Sequence, residues 1–264
     1  DRLRSRGLGD VYKRQIPVIV LQTVAANLGS MATPVGNPQN LFIYAKYSVP
    51  AGDFLGVVLP VAGASLVLLV LAVLFGPKDG IEVNFGERAE ITHSRRLALC
   101  IVLFIFCLLA VMRVVNYVAV TAVVFLTLLL VDRAALKQVD YCLLLTFVFF
   151  FIFAGNIGNI PVVNDTLSGM LNGSTFFTSL LASQVISNVP AAVLLAGFTE
   201  DWKGLLLGTD VGGLGTIIAS LASLISFKLY CATPGAKGGK YLLWFTVVNV
   251  AALALFIPLA LLLL

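Results

Sequence analysis

Charge is what this chain has least of. Asp, Glu, Lys and Arg make up 11% of its 264 residues, and His93 is its only histidine. Its four cysteines (Cys100, Cys107, Cys142 and Cys231) have no CxxC or metal-ligand spacing, which excludes a zinc module. Cys100 and Cys107 sit seven positions apart on one predicted helix, too far along its axis for a disulfide. All four thiols are expected to be buried and unreactive. No Walker loop, nucleophile–base arrangement or metal-ligand cluster is present, so an ATP-driven pump and an enzyme both lack a foundation. The formal charge of +4 implies no nucleic-acid partner, because the basic residues lie in loops between apolar segments.

What remains is apolar. Hydrophobic residues make up 59% of the chain and mean hydropathy is +1.02, whereas soluble domains hold roughly 45–50% apolar residues. Several runs reach the roughly 20 residues needed to cross hydrocarbon. The expected fold class is an all-α polytopic membrane protein surrounded by lipid.

Residues 1–15 differ from this pattern. They hold five basic residues and lack both an amphipathic face and the apolar core of a signal peptide. The segment from Ser5 to Gln15 is similar to translated sequencing-adaptor sequence. The expectation is a non-native leader over 1–15, with native sequence from Ile16 forming the C-terminal part of a longer protein. The alternative is a basic cytoplasmic segment.

From Ile16 the pattern reads as an apolar half-helix to about Ala26, a break beginning at Asn27-Leu28-Gly29-Ser30, and a second half from Pro38 to about Tyr47. Full spans are expected near 54–76, 97–112, 114–131 and 141–160. The last should unwind at Gly155–Pro161. Residues 175–199 are too few for two crossings, and the central Pro190 disfavours one unbroken crossing. A re-entrant hairpin over 174–200, with its tip at Ser187-Asn188-Val189-Pro190, fits better. A second broken span follows over 203–230, then a final helix over 241–264. The expected division is a broken helix in 16–53 ending repeat 1, connecting helices in 54–139, and repeat 2 in 140–264.

Loops 77–96, 132–139 and 228–240 hold nine Lys and Arg residues. The opposite side holds three: Lys46, Arg113 and Lys203. By the positive-inside rule the first side is cytoplasmic and the C-terminus lies outside. The two broken helices then run in opposite directions. Residues 29–40 also align without gaps to residues 212–223, an offset of 183. Broken helices at matching positions of two inverted repeats are the signature of a secondary transporter's binding site. The same offset places the partner of the 174–200 hairpin upstream of Ile16.

The breaks carry the chemistry. Ser187-Asn188-Val189-Pro190 should present a polar cap and a proline at the first helical position, with free N–H groups in a cavity. Such an end binds anions without a basic side chain. Thr33-Pro34 and Asn37-Pro38 repeat this device, and Ser220 is the corresponding cap in the second broken helix. The candidate substrate residues are Gly29, Ser30, Thr33, Pro34, Asn37, Ser187, Asn188, Val189, Pro190, Gly215 and Thr216. Half-helices ending near Asn27 and Asp210 offer free carbonyls suited to Na+. The candidate ion residues are Asn27, Asn188, Asp210, Gly213 and Ser220. An intramembrane carboxylate such as Asp210 is a functional candidate in its own right; the alternative puts it at a hydrated outer mouth. Close packing of small residues is the structural alternative for all these clusters.

These segments resemble the ion-transporter superfamily of citrate, dicarboxylate/sodium, arsenite-permease and sodium/proton-antiporter proteins. The resemblance covers Ile16–Leu264. It rests on Asn27–Leu41 as a Gly-rich broken-helix motif, Ser187–Ala191 as a hairpin tip, and Gly212–Thr216 as the matching break. It implies alternating access, homodimers, no cofactor beyond Na+ or H+ as coupling ion, and a bacterial cytoplasmic membrane. In the dicarboxylate branch the tip reads Ser-Asn-Thr; Val189 stands in place of that Thr and removes one hydroxyl. Where the antiporter branch often has Asp before the hairpin Asn, this chain has Ser187. The function implied is symport of citrate or another di- or tricarboxylate. Arsenite or antimonite efflux and Na+/H+ antiport are the alternatives, and a channel or a non-transporting scaffold is the reading from outside this class.

Overall fold

The computed structural model describes residues 2–75 and 93–264, with side chains from Gln15 onward. Among the described residues every regular element is an α-helix. The chain divides into two compact units, Asp1–Lys78 with Phe149–Leu264, and Asp79–Val148.

The first unit holds the broken helices. Helix α1 (Arg2–Ser30) is followed by a break, α2 (Pro38–Lys46) and α3 (Ala51–Leu74). The expected end of the first half-helix near Ala26 is corrected here: the helix continues through Ser30. Ser30 Oγ donates to the Asn27 carbonyl at 3.0 Å, which occupies one carbonyl of the last turn. The second unit contains α4 (Ser94–Val111), α5 (Tyr117–Val131) and α6 (Arg133–Lys137). Most of the polar loop 77–96 used for orientation lies outside the described residues.

Helix α7 (Tyr141–Ile157) ends in the glycine- and asparagine-rich stretch as expected, and the chain bends by 97° into α8 (Pro161–Gly173). Helix α8 has no counterpart in the sequence reading. Pro161 occupies its first turn, where a missing N–H costs nothing. The hairpin is α9 (Thr175–Ile186) and α10 (Asn188–Leu195), and the second broken helix is α11 (Trp202–Gly212) and α12 (Leu221–Cys231), followed by α13 (Gly238–Leu261). Among the described residues α3, α4 and α13 are each long and apolar enough to cross a membrane.

The four thiols are free and exposed, not buried as expected. Helices α4 and α7 are apolar around most of their circumference and bury almost none of it within the chain, so Cys100, Cys107 and Cys142 face outward.

Two sets of contacts orient the broken helices. Ile16 and Val20, midway along α1, pack with Tyr230 at the end of α12 and with Tyr241 and Phe245 of α13. Asn27, near the end of α1, reaches Ser223 at the start of α12. At the other end, Tyr47 after α2 donates to the Thr199 carbonyl before α11 at 2.7 Å, while Gln39 at the start of α2 reaches Asp210 near the end of α11. Each half-helix therefore runs antiparallel to the half it meets, and the two breaks lie side by side.

The hairpin docks on α11 through small residues spaced by one helical turn. Gly204, Gly208 and Gly212 face Thr175, Ser179 and Ser183. A Cβ on Gly208 would run into Ser179 Oγ and the Phe176 carbonyl, and one on Gly212 would lie 2.9 Å from Ser183 Cβ. Such close approach is how helices associate where apolar burial drives little. Gly208→Ala should destabilise the protein by about 1–3 kcal/mol through overpacking. Gly56→Ala on α3, where the added atom meets nothing within 4 Å, should be neutral or better. Equal thermal midpoints for the two variants in detergent would contradict this packing.

Candidate functional site

The two breaks are built alike. Helix α2 starts at Pro38 with Asn37 as its cap, Oδ1 accepting from the Asn40 N–H at 2.9 Å. Helix α12 starts at Leu221 with Ser220 as its cap, Oγ accepting from the Ser223 N–H at 3.1 Å. Caps and cap donors are both 183 positions apart, the offset of the sequence echo, and both caps are extended (φ −147° and −144°). Each offers the helix one of the acceptors its first turn lacks.

Thr33-Pro34 does not start a helix. Residues 31–37 form successive turns, folded tightly enough that a Cβ on Gly36 would run into the Ser30 carbonyl. The hairpin tip also differs from expectation. Ser187 precedes α10 without a side-chain cap bond, and Pro190 is the third residue of the helix rather than the first. Position three is tolerated because first-turn N–H groups have no helical acceptor. Ser187 has φ 74°, a region that favours glycine and concentrates at functional sites. The Asn188 N–H is not free for an anion: it donates to the Ala219 carbonyl at 2.9 Å, tying the tip to the second break.

A second tie runs through Gln184, a polar residue at the middle of the hairpin and not one of the candidate site residues. Its Nε2 donates to the carbonyls of Gly212 (2.7 Å) and Leu214 (3.0 Å), and its Oε1 accepts from the Thr216 N–H (2.9 Å). Thr216 Oγ1 donates to the Gln184 carbonyl at 2.9 Å. Gly215 between them has φ +106°, and a Cβ there would collide with Gln184 Oε1. Gly215 and Thr216 are thus held by the hairpin.

The candidate residues fall into two layers. Ser30, Pro34, Asn37, Ser187, Pro190 and Gly215 are partly exposed, while Gly29, Thr33 and Thr216 are exposed. Asn27, Asn188, Val189, Asp210, Gly213 and Ser220 are buried. Within the buried layer, Asn27 Nδ2 donates to the Gly213 carbonyl (3.2 Å) and Ser223 Oγ (3.3 Å). This crosses from one break to the other. Asp210, 1% exposed, makes the reciprocal crossing: its Oδ1 accepts from Asn37 Nδ2 (3.2 Å) and Gln39 Nε2 (3.1 Å). Asn27 and Asp210 are themselves 183 positions apart, so pseudo-equivalent residues make the two cross-links. Asp210 is not at a hydrated mouth.

Gln39, Asn40, Gln184 and Ser223 belong to this constellation but were not candidates on sequence. A signal existed: each is polar within an apolar stretch, where such residues are costly and tend to be functional, and Asn40 and Ser223 share the 183-residue offset. A pocket of ≈ 280 Å³ beside the hairpin, lined by Phe150, Phe153, Ala154, Ile186, Pro190 and Leu194, is apolar and unsuited to an anion.

Residues 9–201 match the family described as citrate transporter. An uncharacterized transporter of Methanocaldococcus jannaschii is 32% identical over 232 residues, covering 88% of this chain and 63% of that protein. Inner membrane protein YbiR of Escherichia coli is 32% identical over 222 residues, covering 81% of this chain and 59% of that protein. The silicon efflux transporter LSI3 of Oryza sativa is 36% identical over 92 residues, 31% of this chain and 19% of its own. The chain therefore spans about three fifths of the first two relatives. No solved structure matches.

Proposed function

Because the chain belongs to the citrate transporter family, an integral membrane family of transporters rather than enzymes, we propose that the protein it forms carries a small organic anion, citrate or another di- or tricarboxylate. Transport is secondary, driven by Na+ or H+, and proceeds by alternating access.

The observation that carries this proposal is the meeting of two antiparallel breaks with the hairpin tip. Ser30, Asn37 and Ser187 line the partly exposed layer without a basic side chain among them. Amides, hydroxyls and helix N-termini recognise carboxylates while leaving the binding region close to neutral, and a co-bound cation offsets the substrate's charge. Alternating access suits a site whose two sides are pseudo-equivalent, as the paired caps Asn37 and Ser220 are. The protein sits in the bacterial cytoplasmic membrane with loops 77–96, 132–139 and 228–240 inside and the C-terminus outside, and works as a homodimer. The inner-membrane relative supports that location.

Vesicles containing the full-length protein should accumulate citrate, succinate or malate when a Na+ or H+ gradient is imposed. Absence of accumulation of all three under either gradient overturns the proposal. A second reading, efflux of a neutral metalloid hydroxide such as arsenite or antimonite, draws support from the similarity to the silicon efflux transporter. Hydroxyls and amides serve that cargo equally well. Expression in an efflux-deficient host separates the two, because restored arsenite resistance favours the metalloid.

A further inference from the structure

The buried layer contains three oxygens that nothing in the fold satisfies. Asp210 Oδ2, Gln39 Oε1 and Asn40 Oδ1 are buried and have no hydrogen-bond partner. Their residues are 1%, 3% and 0% exposed. The amide orientations are set by groups that only accept: Gln39 Nε2 donates to Asp210 Oδ1 at 3.1 Å, and Asn40 Nδ2 donates to the Met31 carbonyl at 3.1 Å. Turning either amide over would place oxygen against oxygen. The Asn40 amide also lies beside the Asp210 carboxylate. Two adjacent residues at the start of α2 and one near the end of α11 thus present acceptors alone.

Burying one such oxygen unpaired is costly, and burying part of a carboxylate unpaired costs more. A proton on Oδ2 supplies one donor, so it can satisfy that oxygen and at most one other. A water supplies two donors but leaves the carboxylate charge uncompensated. A hard cation satisfies all three at once, and one carboxylate neutralises a monovalent ion where a divalent ion would leave net charge in the membrane. No nitrogen or sulfur donor belongs to the set, which disfavours a transition metal.

We infer that Asp210, Gln39 and Asn40 bind a small monovalent cation, Na+, in the seam between the two broken helices. Ligands from both breaks then join the cation to their relative position. Asp210 was a candidate on sequence together with Asn27, Asn188, Gly213 and Ser220, whereas Gln39 and Asn40 are its partners here. This cation site deepens the proposed transport, on which its physiological use rests, but its occupancy is measured without any anion.

The test is binding of radioactive 22Na+ to the full-length protein purified in detergent, with thermal midpoints in NaCl and in choline chloride. The wild type should bind 22Na+ and gain a higher midpoint in NaCl. Asp210→Asn should lose one bound Na+ per chain. Gln39→Leu, which keeps the carboxylate, should bind at that site about tenfold or more weakly. A wild type that binds no Na+, or variants that bind as the wild type does, would overturn the assignment. So would a midpoint indifferent to Na+ but dependent on pH only while Asp210 is present, since the occupant would then be a proton. A protein that binds Na+ through these residues yet moves no carboxylate keeps this site and loses the transport proposal instead.

Discussion

In a Gln184→Ala protein the break between α11 and α12 loses its hold on the hairpin, and stability falls by about 2–4 kcal/mol. One side chain bonds three backbone groups there: the Gly212 and Leu214 carbonyls and the Thr216 N–H. These groups lack helical partners because the helix stops at Gly212, and in an apolar setting they have few others. Thr216 is exposed, so its N–H recovers some of the loss from water, which keeps the expected cost below three full unpaired groups. Gln184→Glu should be about as damaging, since a carboxylate accepts from Thr216 but donates to neither carbonyl. Unfolding of the purified full-length protein, followed by circular dichroism, measures both. A Gln184→Ala midpoint equal to wild type would mean that the hairpin is held to the break by other contacts.

Asn37→Ala should cost more than Ser220→Ala, although the two caps are pseudo-equivalent. Each substitution removes a cap worth about 1 kcal/mol. Asn37 has a second role: its Nδ2 is one of two amide donors on Asp210 Oδ1. Losing a hydrogen bond to a charged group adds about 1.5–3 kcal/mol. Ser220 shares a hydroxyl contact with Ser223 at 2.8 Å and touches no charge. Asn37→Asp separates the two roles. It keeps an acceptor for the Asn40 N–H but sets a second carboxylate beside Asp210, so it should be the most damaging of the three. If Asn37→Asp is as stable as wild type, capping is all that Asn37 does.

Much of the fold can be read from local chemistry. Asn37-Pro38 starts a helix because the proline needs no N–H acceptor and the asparagine supplies one, and this holds in any tertiary setting. Ser220 works the same way. The hairpin is legible because a central proline and too few residues exclude a full crossing. Local rules were less accurate at tight spots. They set the end of α1 too early, where Ser30 bonds back into the last turn, and they gave Thr33-Pro34 a helix start that the turns of 31–37 do not permit. They also missed α8, whose polar sequence resembles a loop.

The site is legible only in outline. Sequence alone placed Asn27, Asp210 and both breaks in one region, because polar groups within apolar runs are costly enough to mark themselves. It could not say that Asp210 pairs with Asn37 and Gln39, or that Gln184 and the Asn188 N–H fasten the hairpin to the second break. Nor could it show that Gly204, Gly208 and Gly212 admit Thr175, Ser179 and Ser183.

Membrane residence, the helical breaks and their 183-residue echo were thus determined by the sequence itself, because they follow from hydropathy, backbone capping and the local pattern of small and polar residues. Tertiary structure decided which orphan donor meets which orphan acceptor. Those partners lie up to 196 positions apart, and a glycine, amide or carboxylate acquires its role only when two distant helix ends dock and exclude water.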